Sequence, residues 1–196
     1  LEKEGLFSQD KKAEIPISPN HIGIVTSSST AAFQDIVSTV KRRAPNSQVT
    51  LSDAMVQGDN AHVSIINALN RIILHNEQNP DNKIDVVILS RGGGSIEDLW
   101  CFNNEDLARE IFSYPIPIIS GVGHEIDFTI CDFVSDMRTP TPTASAELVT
   151  EFNFKLLDKL NELKSEIFKN INNFIEGLYQ RLDFNKSRLK SPLSLL

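Results

Sequence analysis

Between residues 90 and 136 a bare glycine triplet, Gly92-Gly93-Gly94, directly follows an apolar run, and a His124-Glu125-x-Asp127 box follows a second glycine turn, Gly121 to Gly123. Successive residues without a Cβ let backbone N–H groups turn outward and converge on an anion, so the Gly92, Gly93, Gly94, Ser95 loop reads as a cradle for phosphate. Arg91 stands just before it, where a planar guanidinium could hold two phosphate oxygens; pairing with a nearby carboxylate is its other use. His124 can give or take a proton near neutral pH, or can simply be a satisfied core histidine. Asp127 is close enough in sequence to orient that imidazole or act as a base, and is equally placed to N-cap the stretch FTICDFVSD. Asp35 sits inside a helical pattern, where aspartate is locally unfavourable, although a solvated helix face explains it as well. Positive charge, a proton carrier and carboxylates that position water are what phosphodiester hydrolysis needs.

The elements that must position these residues alternate. IGIVT (22–26) is a short buried strand, and Ser27 to Thr30 offer N-caps for a helix through about Arg43 with Ile36, Val37 and Val40 inward. VTLSDAMV is a second strand. Asp59 is a plausible N-cap for a helix whose apolar positions Val63, Ile66, Leu69 and Ile73 recur at three- and four-residue steps. IDVVILS and PIPIIS are the third and fourth strands. This alternation predicts an α/β fold, a parallel doubly wound sheet with flanking helices, whose ligands bind at the carboxyl ends of its strands. Glu97 and Asp98 read as helix N-terminal caps, and Trp100 and Phe102 as core rather than base-stacking platforms.

From Thr143 the texture changes to one long amphipathic helical extension. Leu156, Leu160, Leu163, Ile167, Ile171, Phe174, Leu178 and Leu182 follow steps of four and three, which keeps the stripe nearly straight. About 40 residues at 1.5 Å each span ~60 Å, longer than a small domain is wide. Three segments follow: a Pro-punctuated lead-in (1–20), an α/β core (21–145) and a helical arm for assembly (146–196).

The formal net charge of −7 over 196 residues excludes a general nucleic-acid coat, because nonspecific affinity comes from Lys and Arg neutralising phosphates. Any such contact must be local, with Lys41, Arg42, Arg43, Arg91 and Arg138 as candidates. The two cysteines lack metal spacing and read as reduced thiols; no segment reads as a signal or a membrane span, so a cytoplasmic location without membrane association is expected. Neither GxGxxG nor GxxxxGK[ST] occurs, which weakens a nucleotide- or sugar-phosphate-binding enzyme as the alternative; a non-catalytic DNA-binding or assembly module is the other rival. Asp35, Glu125, Asp127, Asp132 and Asp136 could assemble an oxygen site for Mg²⁺, while Asp132 and Asp136, four apart, also read as a solvent-facing helical pair. An Arg/His/Asp site without obligatory metal is the other possibility.

The words RGGGSIEDLWCFNNE, PIISGVGHEIDFTICDFVSDMRTPTPTASAE, TAAFQDIVSTVKRRAP and AMVQGD, in their order, closely resemble the catalytic domain of the large subunit of bacterial exodeoxyribonuclease VII, over roughly residues 5 to 150. A lone GGG would be weak, whereas GGGS-x-EDLW-x-FN followed by GHE-x-D is specific. The resemblance implies a nuclease that degrades single-stranded DNA to oligonucleotides, an OB-fold domain upstream, and small subunits assembled on the helical arm. It also singles out Asp35, Arg91, His124 and Asp127 together as the catalytic set. The chain departs from the family's usual words at SSST, for Ser-Pro-Thr-Gly, and RTPTP, for Arg-Ala-Pro-Thr-Pro, which leaves the first loop's shape open.

Overall fold

The computed structural model describes residues 1–92, 96–123 and 127–189, without the side chains of Ile96 and Glu97. Its centre is a sheet of five parallel strands, β1 (His21–Thr26), β2 (Gln48–Asp53), β3 (Val86–Ser90), β4 (Ile118–Gly121) and β5 (Met137–Arg138), in the order β2-β1-β3-β4-β5. Parallel strands need crossovers, and helices supply them: α1 (Ala31–Arg43), α2 (Ala61–Gln78), α3 (Glu105–Phe112) and α4 (Ile130–Val134); α5 (Pro142–Arg188) follows β5. Alternate strand residues face opposite layers. Ile22, Ile24, Val86, Ile88 and Ile119 pack with Ile36 and Val40 of α1 and with Ala146 and Val149 of α5. Val25, Val87, Leu89 and Ile118 pack with residues of α2, α3 and α4. The central strands are covered on both faces, which explains why they read as continuous apolar runs.

The structure departs from the sequence expectations in four places. β5 was not anticipated; two residues are too few to show a strand period. The inward stripe of α2 is Ile65, Ala68, Leu69 and Ile72, and Val63 is exposed, so the apolar phase lies one residue away from the Val63 series. The α2 N-cap is Asn60 rather than Asp59. The segment expected to begin with caps at Glu97 and Asp98 forms a 3-10 helix over Ile96–Asn103, and α3 begins only after Asn104, whose side chain accepts from Leu107 N at 3.1 Å.

Contacts divide the chain into Leu1–Phe154 and Lys155–Leu196. In the first unit Leu6 of the lead-in is buried in the core, and Arg109 of α3 grips Glu4 through two hydrogen bonds of 2.8 and 3.2 Å. Arg43 donates to Thr150 Oγ1 at 3.1 Å and lies 4.3 Å from the ring centre of Phe154, so this candidate DNA contact instead holds α1 to the first turns of α5. In the second unit Leu160, Ile167, Ile171, Phe174, Leu178 and Leu182 are all exposed. Among the described residues no helix is long and apolar enough to cross a membrane.

Candidate active site

The strand order reverses between β1 and β3, and crossovers diverging from such a point leave a crevice at the carboxyl ends of the strands. Arg91 and Gly92 leave β3 there, and Val122 and Gly123 leave its parallel neighbour β4. These four residues line one cleft of about 110 Å³ together with Ala31, Ala32 and Asp35 of α1 and the Pro140 to Pro142 turn that starts α5. Two candidates far apart in sequence, Asp35 and Arg91, therefore meet with Gly92. His124, Gly93, Gly94 and Ser95 lie outside the described residues; their chain neighbours Gly123 and Gly92 line the cleft.

The cleft is suited to an anion. Arg91 is only 5% exposed, and its Nη1 lies 3.9 Å from Asp98 Oδ2, so it both pairs with a carboxylate and fronts the cleft. The Thr30 hydroxyl donates to Ser27 O at 2.7 Å instead of capping α1, and no acidic residue occupies the first turn of that helix. The positive end of the α1 dipole thus meets the cleft without an anionic side chain in its first turn. The unusual SSST loop is closed by Thr30 N donating to Ser27 O at 3.1 Å and is anchored by Ser28 N donating to Asp53 Oδ1 at 2.6 Å. That bond holds the Asp53 carboxyl below its usual range. Thr26 and Ser90 end β1 and β3 on the face that α1 and α5 cover, and their fully buried hydroxyls have no hydrogen-bond partner among the described residues. Sequence reasoning gave these two no role; polar residues closing otherwise apolar strands were the available signal.

Two glycines are required by close approach. A Cβ on Gly121 would strike Ser145 Oγ and come within 3.2 Å of Thr141 O, because α5 starts directly over the end of β4. A Cβ on Gly123 would overlap the Asp127 carbonyl. Asp127 is thereby brought back against the cleft-lining Gly123, but it does not cap α4. Thr129 is the cap: its hydroxyl accepts from Asp132 N, and Asp132 accepts from Thr129 N at 2.8 Å. This reciprocal box was visible in the sequence as Thr-x-x-Asp.

A sequence model described as "Exonuclease VII, large subunit" matches residues 6–196. The chain belongs to the exonuclease VII large-subunit family. Proteins named exodeoxyribonuclease 7 large subunit are 46% identical to it in Halothermothrix orenii (99% of this chain, 46% of that protein) and 48% identical in Clostridioides difficile (95% and 45%). One from Vibrio parahaemolyticus is 52% identical over 78% of this chain and 33% of its own length. The chain thus spans less than half the length of these relatives.

Of the carboxylates invoked for Mg²⁺, Glu125 lies outside the described residues, and Asp132 and Asp136 are engaged in the scaffold. Asp132 is buried, not solvent-facing, and accepts from Ser120 Oγ at 2.6 Å and from Thr129 Oγ1 at 2.9 Å. Asp136 lies beyond the end of α4 and accepts from Ile118 N at 2.7 Å and Ala13 N at 2.6 Å. Both carboxylates hold the fold together. Among the described residues no three His, Cys, Asp or Glu groups converge to hold a metal ion. Arg138 stacks 3.9 Å from the Phe128 ring centre with its Nε 3.9 Å from Asp132 Oδ2. Phe102 is core, but Trp100, expected inside, is 72% exposed.

Proposed function

We propose that the chain is the catalytic segment of a nuclease that hydrolyses phosphodiester bonds of single-stranded DNA to give oligonucleotides. The observation that carries this reading is the meeting of Asp35, Arg91 and the α1 N-terminus in one cleft at the strand-order reversal. Arg91 and the Gly92–Ser95 loop would hold the scissile phosphate, with the α1 N-terminus facing its charge. Asp35 and Asp127 would orient water and accept its proton as the oxygen attacks phosphorus. His124 would give a proton to the departing sugar oxygen as the P–O bond breaks. No step here depends on a metal ion.

Names of the relatives support the DNA substrate, and the exposed stripe on Lys155–Leu196 supports assembly with a small subunit along that helix. The two free thiols, Cys101 and Cys131, accord with the reducing cytoplasm. The test is incubation of end-labelled single-stranded oligonucleotide with the full-length large subunit and its small subunit, with and without chelator. Shortened strands are expected. Binding of mononucleotide without strand shortening would favour a small-molecule enzyme, and strand binding without cleavage an assembly module.

A further inference from the structure

Trp100 sits in the 3-10 segment Ile96–Asn103, which also carries Asp98, the ion-pair partner of Arg91. Trp100 is 72% exposed, so its flat apolar face is open, and it walls a cleft. Here the cleft measures about 400 Å³ and is lined by Trp100, Asn103, Asn104, His62 and Asp59, among others. That volume falls in the range of small-ligand sites. Its described lining includes an acidic residue and no Lys or Arg, so it is unsuited to phosphate, whereas the cleft of Arg91, whose ion-pair partner Asp98 lies two residues before Trp100, is suited to it.

The two amides have defined orientations. Asn103 Oδ1 accepts from Ile130 N at 2.9 Å and Asn104 Oδ1 accepts from Leu107 N at 3.1 Å, which turns both oxygens to the backbone and leaves both NH₂ groups without an acceptor among the described residues. A flat apolar face beside unpaired N–H donors matches a nucleobase, which offers a π-face and carbonyl or ring-nitrogen acceptors at its edge. We infer that Trp100 is a stacking platform for an unpaired base of the strand whose phosphate occupies the Arg91 cleft, with Asn103 and Asn104 beside its edge. This inference rests on the single-stranded DNA reading above and adds the residue that grips the strand next to the cut.

Trp100 is the chain's single tryptophan, so its fluorescence reports this site alone. The chain is titrated with a fluorophore-labelled single-stranded oligonucleotide, following oligonucleotide anisotropy and, with unlabelled strand, indole emission. A rise in anisotropy with matching quench of Trp100 is expected, and blunt duplex should give no such quench. Binding without quench overturns the platform and leaves the DNA reading standing; no rise in anisotropy overturns the DNA reading and the platform with it. Trp100→Leu should weaken strand affinity about five- to 100-fold, the loss of one stacked base, while Trp100→Phe stays within about threefold. Equal affinities for the Leu and Phe variants, or a Leu variant that loses only small-subunit binding, would overturn base stacking.

Discussion

Replacing Asp132 with alanine removes the acceptor for three donors at once. Ser120 Oγ, Thr129 N and Thr129 Oγ1 lie 2.6, 2.8 and 2.9 Å from its carboxylate, and both partner residues are essentially buried. A buried donor left unpaired costs ~1–3 kcal/mol, and loss of the capping box at α4 falls within the same bonds. Removing a desolvated charge whose nearest cation, Arg138 Nε, is 3.9 Å away returns part of that cost. The net expectation is a destabilisation of about 4 kcal/mol, which for a chain of this size lowers Tm by roughly 8–16 °C. Ser120→Ala strips only the donor to Asp132 Oδ1, leaving that buried oxygen unpaired, and should cost ~1–3 kcal/mol, less than Asp132→Ala. Thermal melts followed by circular dichroism, with the Asp132→Ala/Ser120→Ala double mutant to measure coupling, make the comparison. A Tm for Asp132→Ala within ~2 °C of wild type would refute the structural role; loss of cleavage at unchanged Tm would return Asp132 to the chemistry.

Two further perturbations separate cleft from scaffold. Among the described residues a Cβ at Gly92 meets only Thr30, at 3.4–3.5 Å, whereas at Gly123 it overlaps the Asp127 backbone; Gly92→Ala should therefore melt like wild type yet cut DNA at least ~10-fold more slowly, and Gly123→Ala should lower Tm as well. Differential scanning calorimetry beside a gel assay decides it. The lowered Asp53 carboxyl means that its bond to Ser28 N contributes stability above the normal carboxylate range and loses it as pH falls through the lowered value. Exchange of the Ser28 amide should accelerate on acidification relative to neighbouring amides in wild type, with the step absent in Asp53→Ala; identical profiles would disprove the anchor.

The fold was legible wherever periodicity was long and covered on known faces. The apolar runs ending at Thr26, Ser90 and Ser120 announced buried parallel strands, and Ile36 and Val40 gave the inner face of α1 correctly. Tertiary detail decided the rest. The α2 phase shifted because Ala61 and Ala68, small and easily discounted, are fully buried, while Val63 is not. Asp132 and Asp136 looked solvated because a four-residue spacing implies a helix face, but α4 ends at Val134 and both carboxylates turn to backbone and hydroxyl donors. Trp100 looked like core from its side chain alone; the 3-10 segment faces Phe102 inward and Trp100 outward. For the site, proximity of Asp35 to Arg91 is a product of the strand-order reversal, which no local spacing encodes.

The cleft that holds Asp35 and Arg91 is proposed to cut single-stranded DNA. The most direct measurement is the cleavage rate of an end-labelled single-stranded oligonucleotide by the full-length large subunit with its small subunit, compared among wild type, Arg91→Ala, Arg91→Lys, Asp35→Asn and His124→Ala at matched Tm. Oligonucleotide products are expected from wild type, with a ~10²–10⁴-fold loss for His124→Ala, comparable losses for Asp35→Asn and Arg91→Ala, and incomplete rescue by lysine, which lacks the planar fork. Variants that keep their fold and cleave within about twofold of wild type would contradict the proposal.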